Sequence, residues 1–145
     1  MSSLFDPDTF LDEEQEELST ERLLIPPGVH AAFIEAVELK HGVHETNGQW
    51  ARAEIKWNIT EPAVLEEMDR EKVIITQRIM LDIDEDTGKL STKKGANWQL
   101  GQVRAAVGKV KGPLRDLEGC QALIEVKTRI YEGKPQDDVR SVAAL

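Results

Sequence analysis

The chain has little sulfur chemistry: Cys120 is the single cysteine in 145 residues. One thiol excludes an internal disulfide and a cysteine-built zinc site, and it points to a reducing, cytoplasm-type compartment. No run of about 18 apolar residues occurs, so no segment is expected to span a membrane as a helix. The opening MSSLFDPDTFLDEEQEE lacks the basic flank and apolar core of a secretory signal. Histidine is scarce as well. His41 and His44 stand three apart in HGVH without a credible third ligand, so they read as solvated loop residues.

Catalytic patterns are missing too. The glycines at 95, 101 and 108 are not followed by Lys-Ser or Lys-Thr, so no phosphate-cradling loop is present. DIDEDTGKLSTK, from Asp82, begins like a calcium loop. Its glycine falls at the seventh position instead of the sixth, and Lys93 stands where a bidentate glutamate is needed. It reads as a hairpin turn. The expectation is a protein that is not an enzyme and uses no cofactor or metal.

What is present is an uneven distribution of charge. The formal net charge is −9, yet eight of the 27 acids lie in residues 1–21, which hold no base. The remainder carries 19 acids against 18 bases and is nearly neutral. Within it, KLSTKKGANWQLGQVRAAVGKVKGPLR (89–115) has seven bases, Lys89, Lys93, Lys94, Arg104, Lys109, Lys111 and Arg115, and no acid. Residues 1–24 are read as an acidic N-terminal arm and 25–145 as one domain. A short helix is expected at Asp6-Pro7, where Asp caps and Pro suits the first helical position. IPPG at 25–28 breaks the chain before the domain.

Residues 29–40 are expected to form a strand, followed by HGVHETNGQ as a hairpin-like loop. ARAEIKWNI (51–59) alternates Ala51, Ala53, Ile55, Trp57 and Ile59 against polar neighbours, the period of a half-buried strand. TEPAVLEEMDRE (60–71) predicts a short helix, and KVIITQRIMLDID (72–84) a third strand ended by DEDTGK. Asn97 is placed to cap a helix with the stripe Leu100, Val103, Ala106 and Val107, stopped by Gly108. CQALIEVKTRIY (120–131) predicts a fourth strand in which Cys120 packs as a small hydrophobe. EGKPQDD is read as a turn and DVRSVAAL (138–145) as the last strand. Five strands, with a helix between the third and fourth and a helical insertion between the second and third, form the layout of an OB-fold, a small Greek-key barrel.

Such barrels hold single-stranded nucleic acid with cations along the phosphates and aromatic rings under the bases. The candidate binding residues are Trp50, Arg52, Lys56, Arg78, Lys93, Lys94, Trp98, Lys127, Arg129 and Tyr131. Trp57 shares the apolar face of its strand and is assigned to the core.

The sequence also resembles a group of bacteriophage proteins of the single-stranded-DNA-binding-like OB-fold class. The likeness lies in FDPDTFL (5–11), IPPGVHAAFIEAVE (25–38), IMLDIDEDTGKLSTKKGANWQLGQVRAAVG (79–108) and LEGCQALIEVKTRIYEG (117–133). It implies a barrel protein working near replication or recombination intermediates in the host-cell cytoplasm, and it brings no established binding residues. The ending SVAAL departs from the acidic C-terminal tip with which replication-type single-strand binders recruit partners. The expected partner is single-stranded DNA, with replication or recombination proteins as further partners of the acidic arm. The alternative is a barrel used as a protein-interaction module, a regulator or virion component, that acts through the arm without nucleic acid.

Overall fold

The computed structural model describes residues 4–46 and 48–145. Its elements run α1 (Pro7–Phe10), β1 (Gly28–His44), β2 (Gly48–Ile59), α2 (Pro62–Met68), β3 (Ile74–Leu81), α3 (Trp98–Val107), β4 (Gln121–Tyr131) and β5 (Lys134–Ala143), with a 3-10 turn at Leu114–Leu117 before β4. The strands form one antiparallel sheet in the order β3-β2-β1-β4-β5.

β1 is the spine of this sheet. Its first residues pair with β4, from Gly28 opposite Val126 to Phe33 opposite Gln121. From Ala32 opposite Ile59 to His44 opposite Gly48 it pairs with β2. The register slips between Ile34 and Ala36, a bulge that bends the strand where it passes from one neighbour to the other. Beyond Phe33 the ladder with β4 ends, and among the described residues no strand covers that edge of β1. There the chain from Leu117 to Cys120 closes over Ile34, with Ile34 N–H donating to Cys120 O and Gly119 N–H donating to Ile34 O at 2.7 Å.

The sheet is not a closed barrel. β3 and β5 are the two ends of the hydrogen-bonded order, and no ladder joins them although their Cα atoms come within 8 Å. This corrects the OB-fold assignment. Alternation along a strand reports which face is buried. Closure depends on the stagger of all five strands together, which no single strand pattern encodes. Five antiparallel strands with interspersed helices are present, in the expected order.

The alternating residues of β2 build the core as their period dictates. Ile55, Trp57 and Ile59 are fully buried beside Ile34, Ile79, Ile124 and Val126. Trp57 donates its indole N–H to the Oε1 of buried Gln77 at 2.9 Å, which satisfies both polar groups inside an apolar layer. From α3, Leu100 and Val103 dock on this layer, and Leu117 joins them from the 3-10 turn.

Several local expectations change. HGVH lies in β1 itself and Gly48–Trp50 in β2, because the hairpin continues beyond the core. The turn at the other hairpin is confined to Glu132 and Gly133, both at positive φ, so KPQDD belongs to β5. Asn97 makes no side-chain cap to α3. Its Oδ1 instead accepts from Asp82 N–H at 2.8 Å, and its Nδ2 donates to the carbonyls of Asp82 and Ser91. Cys120 is half-buried rather than core, with Sγ 3.4 Å from Asp116 O. Among the described residues no helix is long and apolar enough to cross a membrane.

Candidate functional site

The period of β2 that buries Ile55 and Trp57 turns Trp50, Arg52, Glu54, Lys56 and Asn58 to the opposite face. Register adds Glu38 and Lys40 from β1, and Arg78 and Met80 from β3. The resulting face carries strong charge of both signs. Glu54 forms ion pairs with Arg52, at 2.8 Å, and with Arg78, at 3.6 Å, through the same carboxylate oxygen. Lys56 donates to Glu38 at 3.0 Å, with Lys40 at 3.8 Å, and Lys72 pairs with Glu35. The hydrogen bond from Lys56, and then its charge, hold the Glu38 carboxyl below its ordinary range. Glu35 is lowered in the same way by Lys72. Three of the expected phosphate ligands, Arg52, Lys56 and Arg78, are therefore committed to carboxylates of their own sheet.

Trp50 is positioned by two neighbours. The Arg52 guanidinium lies 5.5 Å from its ring centroid, and the ring covers Gly42, where an added Cβ would stand 3.0 Å from ring atoms. The glycine makes this close approach available.

The remaining candidates lie elsewhere. Lys93, Lys94 and Trp98 are exposed at the start of α3 and in the turn before it. Lys127, Arg129 and Tyr131 are exposed on the far part of β4, past the Gly28–Val126 pair, with Arg129 5.8 Å from the Tyr131 ring. Trp50 pairs near the other end of β1, opposite Gly42. The structure thus gathers Trp50, Arg52, Lys56 and Arg78, and leaves the other candidates in two separate places.

These placements overturn the functional assignment. A continuous strand-tracking groove needs aromatics and cations along one path, and the open sheet separates Trp50 from Tyr131 and neutralises the cations between them. Single-stranded DNA binding on an OB barrel is corrected on this ground. The alternative of an OB-barrel interaction module is corrected with the barrel itself. Among the described residues no group of three or more His, Cys, Asp or Glu is placed to hold a metal ion.

A different site does assemble. Where the β1–β2 hairpin passes the core, a cleft of about 630 Å³ opens between it and the turn after β3. Val43, Trp50, Leu81 and Ile83 give it apolar walls, and Asp82, Asp84 and Glu85 give it carboxylates. Val43 is 76% exposed and Ile83 42% exposed. Local hydrogen bonds shape the turn: Asp84 Oδ1 accepts from Asp86 N–H at 2.9 Å and from Thr87 N–H, and Ile83 bridges to Leu90. Asp82 Oδ2 accepts from Asn97 N–H. Among the described residues none of the three acids forms an ion pair with a lysine or arginine. Sequence reasoning weighed this acidic run as a calcium loop, set that aside for a hairpin turn at the end of the third strand, and assigned it no binding role. The signal it missed was Val43, an apolar residue in phase with Leu39 of the expected strand but assigned to the loop after it.

No family model matches this chain, and no curated protein matches it. The resemblance to phage single-stranded-DNA-binding-like proteins, drawn on sequence stretches, implied a closed barrel, and the open sheet overturns it.

Proposed function

We propose that this protein is a non-catalytic binding module whose cleft at the outer end of β1, β2 and β3 takes a cationic, partly apolar segment of another protein. The observation that carries this reading is the composition of the cleft. Exposed Val43 and Ile83 and half-buried Trp50 stand beside three carboxylates, Asp82, Asp84 and Glu85, that have no cationic partner among the described residues. Lysine or arginine side chains with aliphatic stems match both halves of such a lining, because the stem packs on apolar walls while the head meets the acids. The arrangement repels phosphate and favours a basic peptide.

Indole fluorescence tests this directly, with Trp98→Phe as background so that Trp50 is the responsive ring. A peptide alternating arginine with leucine is titrated against its glutamate counterpart and against a single-stranded oligonucleotide. The expected result is saturable binding of the basic peptide alone, weakened about tenfold by Glu85→Lys in the same titration and by Trp50→Ala in a calorimetric titration, as one lost charge-assisted or aromatic contact implies. Absence of peptide binding, or binding of the oligonucleotide in its place, overturns the reading.

A further inference from the structure

A second surface is opposite in charge to the cleft. Between α3 and the chain that follows it lies a groove of about 270 Å³, floored by Leu90, Leu100, Val110 and Leu114. Val110 is 71% exposed. Arg104 and Lys111 line the groove, and exposed Lys109 flanks it. Arg104 is only 9% exposed, and its side chain donates from Nη2 to Gly112 O at 2.9 Å. It forms no ion pair among the described residues. A guanidinium so deeply placed with one carbonyl partner leaves donors suited to a carboxylate.

The same chain carries the complementary segment. Asp6 caps α1 through its side chain at Asp8 N–H, and the rings of Phe5 and Phe10 meet edge to face at 5.0 Å. Phe10 is 54% exposed and Leu11 is 91% exposed. Asp12, Glu13, Glu14, Glu16 and Glu17 follow, all exposed, and none forms an ion pair among the described residues. The arm is thus a small apolar knob followed by a run of carboxylates. The groove is an apolar trough edged by cations. Both remain open in the single chain.

We infer that the N-terminal arm of a second copy docks in the groove between α3 and residues 109–114. Phe10 and Leu11 rest on Val110 and Leu114, and the carboxylates after them meet Arg104, Lys109 and Lys111. Residues 12–24 extend over about 45 Å at most, enough to reach a neighbouring molecule. Exchange of arms makes the contact reciprocal, so two copies close a symmetric pair. This is independent of the cleft and of its proposed peptide ligand.

Sedimentation velocity of the full chain, over a concentration series at low and high salt, tests the proposal. The expected result is a mass rising from one copy to two with concentration, with association weakened at least tenfold at high salt. Lys109→Glu with Lys111→Glu, and separately Phe10→Ser with Leu11→Ser, should each abolish self-association while leaving the thermal midpoint in place. Mixing the two double variants should recover pairs, since one arm and one groove remain intact between them. A single-copy mass at every concentration overturns the inference, as does a dimer that survives both double variants. A mixture that stays monomeric while the wild type pairs also overturns it.

Discussion

On the outer face of β1, β2 and β3, Arg52 and Arg78 share Glu54, while Lys40 and Lys56 share Glu38. Between Lys89 and Arg115 the seven bases form no ion pair among the described residues. The two regions have cations of the same kind, and only the second leaves them available to a partner. The difference comes from neighbours across strands. On a sheet, residues far apart in sequence stand opposite one another and cancel. In the segment of α3 and its flanking turns the sequence supplies no acid, and the fold brings none within ion-pair distance. Counting local charge therefore overstates the field of the sheet face and represents that of the α3 segment faithfully.

The largest expected effect breaks the scaffold that both regions share. Trp57→Ala removes a fully buried ring and strands buried Gln77, and should cost about 3–5 kcal/mol in urea denaturation. Trp98→Ala, at a ring 62% exposed, should stay within about 0.5 kcal/mol.

A smaller effect separates the two sets of cations. Glu54 is 8% exposed and partners two arginines, one of which, Arg52, already has a buried Nε without a hydrogen-bond partner. Glu54→Gln should destabilise by about 2 kcal/mol, the scale of a lost charge-assisted hydrogen bond. Lys94→Glu, in the acid-free segment, should change stability by less than about 0.5 kcal/mol. Equal effects at the two positions would dissolve the contrast.

Gly42→Ala sharpens the description of Trp50. The new methyl would meet the ring at 3.0 Å, so the indole must swing away from its place beside Arg52. A loss of about 1 kcal/mol is expected from this overpacking, with a shift in Trp50 emission. Unchanged emission would show that the ring already moves freely over the glycine.

The smallest effect is on the acid limb of stability. The carboxyls of Glu35 and Glu38 are lowered in the folded state by the hydrogen bonds from Lys72 and Lys56. Their contribution is present above the ordinary carboxylate pKa and is lost as pH falls through the lowered folded values. Thermal midpoints of Glu38→Gln should match the wild type more closely as the pH drops from about 6 to about 3. A constant gap across that range would mean that the ion pairs on this face add nothing in solution.

Much of the domain was legible residue by residue. The strict alternation in ARAEIKWNI predicted both the strand and the burial of Trp57, and Gly108, with φ at 76°, ends α3 where the stripe stops. Asp6-Pro7 predicted the start of α1. The candidate site was read less well. Trp50, Arg52, Lys56 and Arg78 share a face because period and register put them there, but their glutamate partners were invisible to a count of bases. Asn97 had the right chemistry for a cap and found better partners at Asp82 and Ser91, through contacts between separate turns.

The sequence by itself determined the elements, because a side-chain period of two or of 3.6 selects strand or helix over a few residues. It also determined the opposition of an acidic arm to an acid-free basic segment, since composition along the chain is fixed before folding. Tertiary structure decided whether the sheet closed, which cations were cancelled, and where an acidic cleft opened. Each of those depends on pairings between strands remote in the chain. β3 and β5 approach each other without a ladder, Glu54 lies between Arg52 and Arg78, and the turn after β3 stands over the end of the β1–β2 hairpin. Local pattern carries no record of such pairings, because their energies arise only once register and twist have placed distant residues side by side.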